Sequence, residues 1–179
     1  MKQLIFIICG LCAISNYAQN DIGSISATFD LSQVAMLDLE PNNSTVTLNL
    51  AANEAGEKVT MVTANNKKWI NFSSAVTSAA APRSISIVIA DGQVPSGIYL
   101  KLSTSNKMGI GQGVLGTPSG ILTLTSTSQN IVTGIRGAFT GDGIGNGYEL
   151  TYYLEIYDYK LLDFNQSATL SITLTLSDL

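Results

Sequence analysis

The chain has no histidine, and its two cysteines, Cys9 and Cys12, both fall within the first dozen residues. Losing histidine removes the commonest general base and the commonest metal ligand. Ser-His-Asp and Cys-His catalysis are therefore excluded, and so are ordinary zinc sites. Charge is scarce: 12% of residues, with Lys+Arg 9 against Asp+Glu 13 and a sequence pI near 4.6. Such a chain lacks the clustered cations that phosphates demand, so neither nucleic acid nor an anionic membrane surface is an expected partner. Aromatics make up 7%, with a single tryptophan, Trp69. There is no Pro-rich linker, no charge block and no repeat of fixed period that would mark a solenoid or propeller. What is present is apolar: 45% of the 179 residues, enough for one packed domain and too much for a disordered chain.

The first twenty residues, MKQLIFIICGLCAISNYAQN, read as an export signal. Lys2 gives the positive start, and Leu4 to Cys12 form an apolar run too short for an ordinary transmembrane helix. Cleavage after Ala18 makes residues 1–18 the signal peptide and 19–179 the mature domain, which carries no transmembrane segment. Ile8 and Leu11, not small residues, precede the cysteines, which argues against lipidation. Removing Lys2 leaves 8 bases against 13 acids, a net charge of −5, and no thiol. The expected localisation is outside the cytoplasm: periplasm, cell surface or extracellular space. There the chain must hold together by burial and sheet hydrogen bonding without disulfides.

From residue 22 the side chains alternate with a period of two. Ile25, Ala27, Phe29 and Leu31 share one phase; so do Ala35, Leu37 and Leu39, then Val46, Leu48 and Leu50. The pattern returns at Ile85–Ile89, Ile98–Leu102, Leu122–Leu124 and Ile131–Ile135. It is longest at Tyr148–Ile156 and Leu170–Leu176. Alternation of this kind puts one face in a core and the other in water, as in half-buried antiparallel strands. Serine and threonine fill the outward positions, where threonine suits a pleated surface. The best helical window, Asn53 to Val62, contains Gly56 and ends β-branched. Turn residues separate the runs: Pro41-Asn42-Asn43, Asp91-Gly92, Pro95-Ser96-Gly97, the glycine-rich stretch Asn106–Gly120, and Gly141–Gly147. These signals predict an all-β fold, an antiparallel β-sandwich of Ig-like or Greek-key type with about eight to ten strands. A closed barrel is the second choice. Outward Ser, Thr, Asn and Lys disfavour an outer-membrane barrel.

With Cys and His gone, carboxylate pairs are the main chemistry left. Asp38 and Glu40 share a strand face, and Glu149 and Glu155 share another with Thr151, Tyr153 and Tyr157. Glycoside hydrolysis needs two carboxylates about 5–10 Å apart across a cleft; acids on a strand more often form a solvated face. Gly141–Gly147 has only Asp142 as a charged ligand, too few for a calcium loop, and no following helix or Lys-Ser/Thr for a phosphate loop. It reads as a loop whose glycines accept positive φ. No catalytic residue, metal ligand or cofactor is assigned. Trp69 reads as a core plug with Ile70 or Phe72 on the other side. Tyr153 and Tyr157 fall on the polar phase of a strand already apolar on its other phase, which makes them a candidate glycan-stacking face. Ile25, Ala27, Phe29 and Leu31 form a candidate strand-addition interface: an amphipathic strand near a free terminus pairs with its own sheet or completes a neighbour's, the second giving an open polymer.

The signal ending Tyr17-Ala18-Gln19, the stretch Val34–Pro41, Gly141–Thr151 and the closing Leu170–Asp178 together resemble uncharacterised small secreted β-sandwich proteins of Bacteroidota. In architecture alone, the terminal strand and the Ser/Thr-rich alternation are similar to fimbrial subunits of the chaperone–usher and spore-coat-U type. Those subunits usually carry a disulfide, whereas this mature chain has no cysteine. The functional expectation is a non-enzymatic, exported surface or fimbria-like structural or adhesion subunit, partnering itself or other surface subunits by strand addition. The alternative is a carbohydrate-binding module using the tyrosine face, with a carboxylate hydrolase third.

Overall fold

Thirteen strands follow one another in the computed structural model, which describes residues 26–42, 44–163 and 166–178. They are β1 Val34–Glu40, β2 Thr47–Ala51, β3 Thr60–Asn65, β4 Lys67–Ala75, β5 Arg83–Asp91, β6 Ile98–Thr104, β7 Gln112–Gly113, β8 Thr117–Pro118, β9 Ile121–Thr123, β10 Gln129–Ile135, β11 Ala138–Phe139, β12 Tyr148–Ile156 and β13 Ser171–Asp178. One 3-10 turn, Tyr159–Leu161, is the only helical element among the described residues. No helix among them is long and apolar enough to cross a membrane. The predicted signal peptide, residues 1–18, lies outside the described residues, as does Ile25.

All strand pairings are antiparallel, and they make two packed sheets and a ribbon. In the larger sheet β4 is central. β1 pairs with Trp69–Ala75 along one edge of β4, while β12 pairs with Lys67–Ile70 and β11 with Ser73–Ser74. Since β1 overlaps both of those stretches, β11 and β12 must share the other edge. β6 and then β9 continue the sheet beyond β12, and β7 lies beyond β11. The second sheet runs β13-β5-β10-β8, and β2 and β3 form a separate hairpin. The all-β antiparallel sandwich expected from the alternation is what the chain forms, with ten strands of three residues or more. β7 and β8 sit inside the stretch Asn106–Gly120 that reads as plain connection.

The core is the set of inward phases. Ile70 and Phe72 from β4, Leu100 and Leu102 from β6, and Tyr148, Leu150 and Tyr152 from β12 face Ile85, Ile87 and Ile89 from β5 and Ile131 and Ile135 from β10. Burying each such aliphatic side chain stabilises by roughly 1.5–3 kcal/mol. In β10 the neighbours Ile131 and Val132 are both fully buried, which strict alternation forbids; a register shift between Asn130 and Val132 supplies the extra residue that allows it. Among the described residues the sandwich also holds a buried cation. Arg83 opens β5 at 1% exposure, and its guanidinium donates to Asp178 Oδ1 in β13 (2.7 Å), to Ser74 Oγ in β4 (3.2 Å) and to the Val34 carbonyl in β1. One side chain thus ties the edge strands of both sheets, and each bond answers part of the guanidinium's desolvation.

Two sequence expectations are corrected. Residues 26–33 form no strand, although Ala27, Phe29 and Leu31 carry the alternation; Phe29 is 93% exposed and Leu31 83%. An alternating pattern makes a strand amphipathic, but a strand forms only with a ladder partner. Trp69 is buried but is no plug of the inter-sheet core. It stands in register with Glu40 and Glu149 on the outer face of the larger sheet, opposite Ile70. The chain divides into a unit of residues 1–31 and a unit of residues 32–179; every strand described above belongs to the second.

Candidate functional site

The outer face of β6 and β12 gathers the side chains with most binding chemistry. Registers Tyr153↔Lys101 and Glu155↔Tyr99 set these four on one face, across two strands. Tyr157 follows the end of β12, where its N–H donates to the Gly97 carbonyl (2.9 Å). That bond turns its ring onto Tyr99: the two rings stack at 4.3 Å between centroids and 23° between planes. Diagonal neighbours of this kind are within reach of aromatic side chains on a sheet. Both rings stay open to solvent, Tyr99 at 42% and Tyr157 at 48%. Lys101 forms an ion pair with Glu155 beside them, and the hydrogen bond to Glu155 raises the Lys101 pKa above its usual value.

Of the two predicted stacking residues, Tyr157 is on this platform, and Tyr153 lies half-buried opposite Lys101. The sequence reading does not name Tyr99 and Lys101, although the signal is present: in Ile98-Tyr99-Leu100-Lys101-Leu102 both fall on the polar phase of an alternating strand. Their pairing with β12 was not readable, because register between strands far apart in sequence is not written in either strand alone. Next to the platform, a cleft of about 170 Å³ opens where the β2–β3 hairpin leaves β12, lined by Leu50, Lys58, Met61, Leu154, Glu155 and Ile156. Val59, which also lines the cleft, accepts a hydrogen bond at its carbonyl from the Tyr159 hydroxyl (3.3 Å).

The other predicted acids behave differently. Glu149 pairs with Lys67 (2.9 Å) and lies six residues along β12 from Glu155, roughly 20 Å at strand rise, too far for a two-carboxylate glycosidase pair. Asp38 and Glu40 do share a face, as expected, and with Asp142 they bring three carboxylate oxygens within 4.8 Å of one another. Calcium takes six to eight oxygens, and these acids also have local work: Asp38 accepts the Leu39 N–H (2.8 Å), and Glu40 accepts the Asn42 N–H and side-chain amide.

Asp142 belongs to the glycine loop, where Gly141, Gly143, Gly145 and Gly147 all have positive φ, as read from the sequence. The loop is tied down by buried Asn71, whose Nδ2 donates to the Asn146 carbonyl (2.8 Å) and whose Oδ1 accepts the Gly143 N–H (2.8 Å). Asn146 in turn donates to the Asp142 carbonyl (2.6 Å). No protein-family model matches the chain, and no curated protein matches it.

The predicted strand-addition residues Ala27, Phe29 and Leu31 lie in the exposed stretch without a strand. Among the described residues β1 pairs only with β4 and β13 only with β5, so each has an open edge. At this side of the sandwich the inward leucines are only partly covered: Leu37 and Leu39 in β1, and Leu174 and Leu176 in β13.

Proposed function

We propose that the chain is a non-enzymatic, exported surface subunit, fimbria-like or adhesive, that assembles by strand addition through Ala27, Phe29 and Leu31. One observation carries this reading: an alternating apolar segment leaves Phe29 and Leu31 almost wholly in water and outside any strand. Two large apolar side chains one strand step apart, exposed on the same phase, are what an incoming edge strand offers to an unfilled sheet. The partly covered leucines of β1 and β13, each on a strand with a free edge, supply an acceptor of matching chemistry. Contact between a terminal segment on one copy and a sheet edge on another is head-to-tail and does not close, so it gives filaments. Weak charge and Ser/Thr outer faces suit such a repeated exterior. Export to the periplasm, cell surface or medium is part of the same proposal.

Sedimentation of the processed chain across a concentration series tests it. The expected result is a ladder of oligomers that Phe29→Asp with Leu31→Asp, or deletion of residues 20–32, reduces to monomer. A chain that stays monomeric at high concentration, or oligomers indifferent to both changes, would overturn it. Recovery of the unprocessed chain from the cytoplasm would overturn the export half.

A further inference from the structure

The Tyr99–Tyr157 platform is not used by strand addition, and its chemistry is specific. Monomeric domains bury large aromatics or scatter them singly; here two half-exposed rings lie on each other at 4.3 Å. Their stacking fixes both side chains in place, so little side-chain entropy remains to be lost when a ligand lands on the outer ring face. Beside them Lys101 and Glu155 present donors and acceptors held in an ion pair. Further along the same face Lys67 and Glu149 do the same. Paired charges leave the face polar but without net sign, and the chain as a whole is acidic. That combination fits a ligand with apolar ring faces, many hydroxyls and no charge. It disfavours anionic glycans.

From this geometry we propose that Tyr99, Lys101, Glu155 and Tyr157 form a binding site for a neutral polysaccharide. One sugar ring stacks on the tyrosine platform, and hydroxyls of the same chain bond to Lys101 and Glu155. Glu155 also lines the adjoining cleft. At about 170 Å³ that cleft is smaller than the pockets that enclose whole small molecules. It takes one further unit of an extended chain, against a lining that offers both apolar side chains (Leu154, Ile156) and charged ones (Lys58, Glu155).

Affinity electrophoresis of the processed protein in native gels containing mannan, xylan or laminarin tests this. Retardation is expected in at least one gel. Tyr157→Ala should weaken it about tenfold, the loss of one aromatic stacking contact, while Tyr157→Phe, which keeps the ring, should retain it. Tyr157 lies beyond the end of β12, so its alanine variant should melt with the parent protein, and that melt is the folding control. Should Tyr99→Ala, within β6, fail to fold, the Tyr157 pair alone decides. Absence of retardation in all three gels, or retardation that Tyr157→Ala leaves intact, overturns the proposal. Neither result bears on oligomerisation, so this site and the assembly reading fail separately.

Discussion

β4 and β13 stand at opposite extremes of the same sandwich. β13 alternates without interruption from Ile172 to Leu176 and lies at an edge, its inward residues partly covered. β4, reading KKWINFSSA, has no alternation to speak of, and four consecutive residues, Trp69 to Phe72, are buried. The difference follows from what covers each strand. β13 has a core on one side and solvent on the other, so its sequence must switch at every step. β4 has the core beneath Ile70 and Phe72, and over its outer face the glycine loop held by Asn71. Clean alternation therefore marks strands that are covered on one face, and the central strand of the larger sheet lacks it.

The contrast breaks most sharply in the core of β4. Ile70 is fully buried and stacks into the inter-sheet layer, so Ile70→Ala removes three carbons where neighbours from both sheets restrict collapse. The expected loss is about 4 kcal/mol, measured by urea denaturation with an unchanged m-value. A loss near 1 kcal/mol would mean that β4 is not the centre of the packing.

This also explains which parts of the molecule were legible. Strands at Val34–Glu40, Arg83–Asp91, Ile98–Thr104, Tyr148–Ile156 and Ser171–Asp178 were readable because each has one wet face. β4 was not, since a strand buried on both sides has no period to detect. The alternation at Ile25–Leu31 was as clear as any other, yet residues 26–31 form no strand, because pattern reports amphipathicity while pairing depends on a partner elsewhere in the chain. The candidate site was half legible for the same reason. Tyr157 was visible on its own strand's polar phase, while its stacking on Tyr99 depends on the Glu155↔Tyr99 register, which only the folded sheet supplies. The three-carboxylate corner likewise joins Asp38 and Glu40 to an acid a hundred residues away.

The cover over β4 can be broken separately. Gly147 has φ +78°, and a Cβ there would overlap the Ile70 carbonyl oxygen, a backbone atom that cannot step aside. Gly147→Ala combines left-handed strain with that overlap, and the expected loss is about 3 kcal/mol. Gly143 has nearly the same φ, +84°, but open space around its Cβ position. Gly143→Ala should cost only about 1 kcal/mol. Equal losses at the two positions would show that the loop does not sit tightly on β4.

Alkaline pH probes the same buried side through β12. Burial pushes the phenols of Tyr148 and Tyr152 up to about 12, and the Tyr148 hydroxyl, which must be protonated to donate, bonds to the Leu115 carbonyl (2.9 Å). A folded pKa above the unfolded value of about 10 means the native state holds these protons more tightly. Their contribution is therefore complete below pH 10 and lost as pH climbs from 10 toward 12. The melting temperature should fall by roughly 5–10 °C across that window. In Tyr148→Phe the fall should be shallower. A flat profile would contradict the burial of both phenols.

The edge should respond far less than the centre of β4. Leu174 is in register with Ile87 but only partly covered, and an edge strand can shift inward to close a gap that a central strand cannot. Leu174→Ala should thus cost about 1–1.5 kcal/mol, below the roughly 2–5 kcal/mol usual for Leu→Ala in a closed core. Arg83 limits how far β13 can move, because its bond to Asp178 pins the end of the strand. Combining Leu174→Ala with Asp178→Asn should then exceed the sum of the two single losses, as the freed strand end lets the gap open to water. Simple additivity would show that the edge is held by its backbone ladder to β5 alone, and that the arginine clamp contributes nothing to the packing of β13.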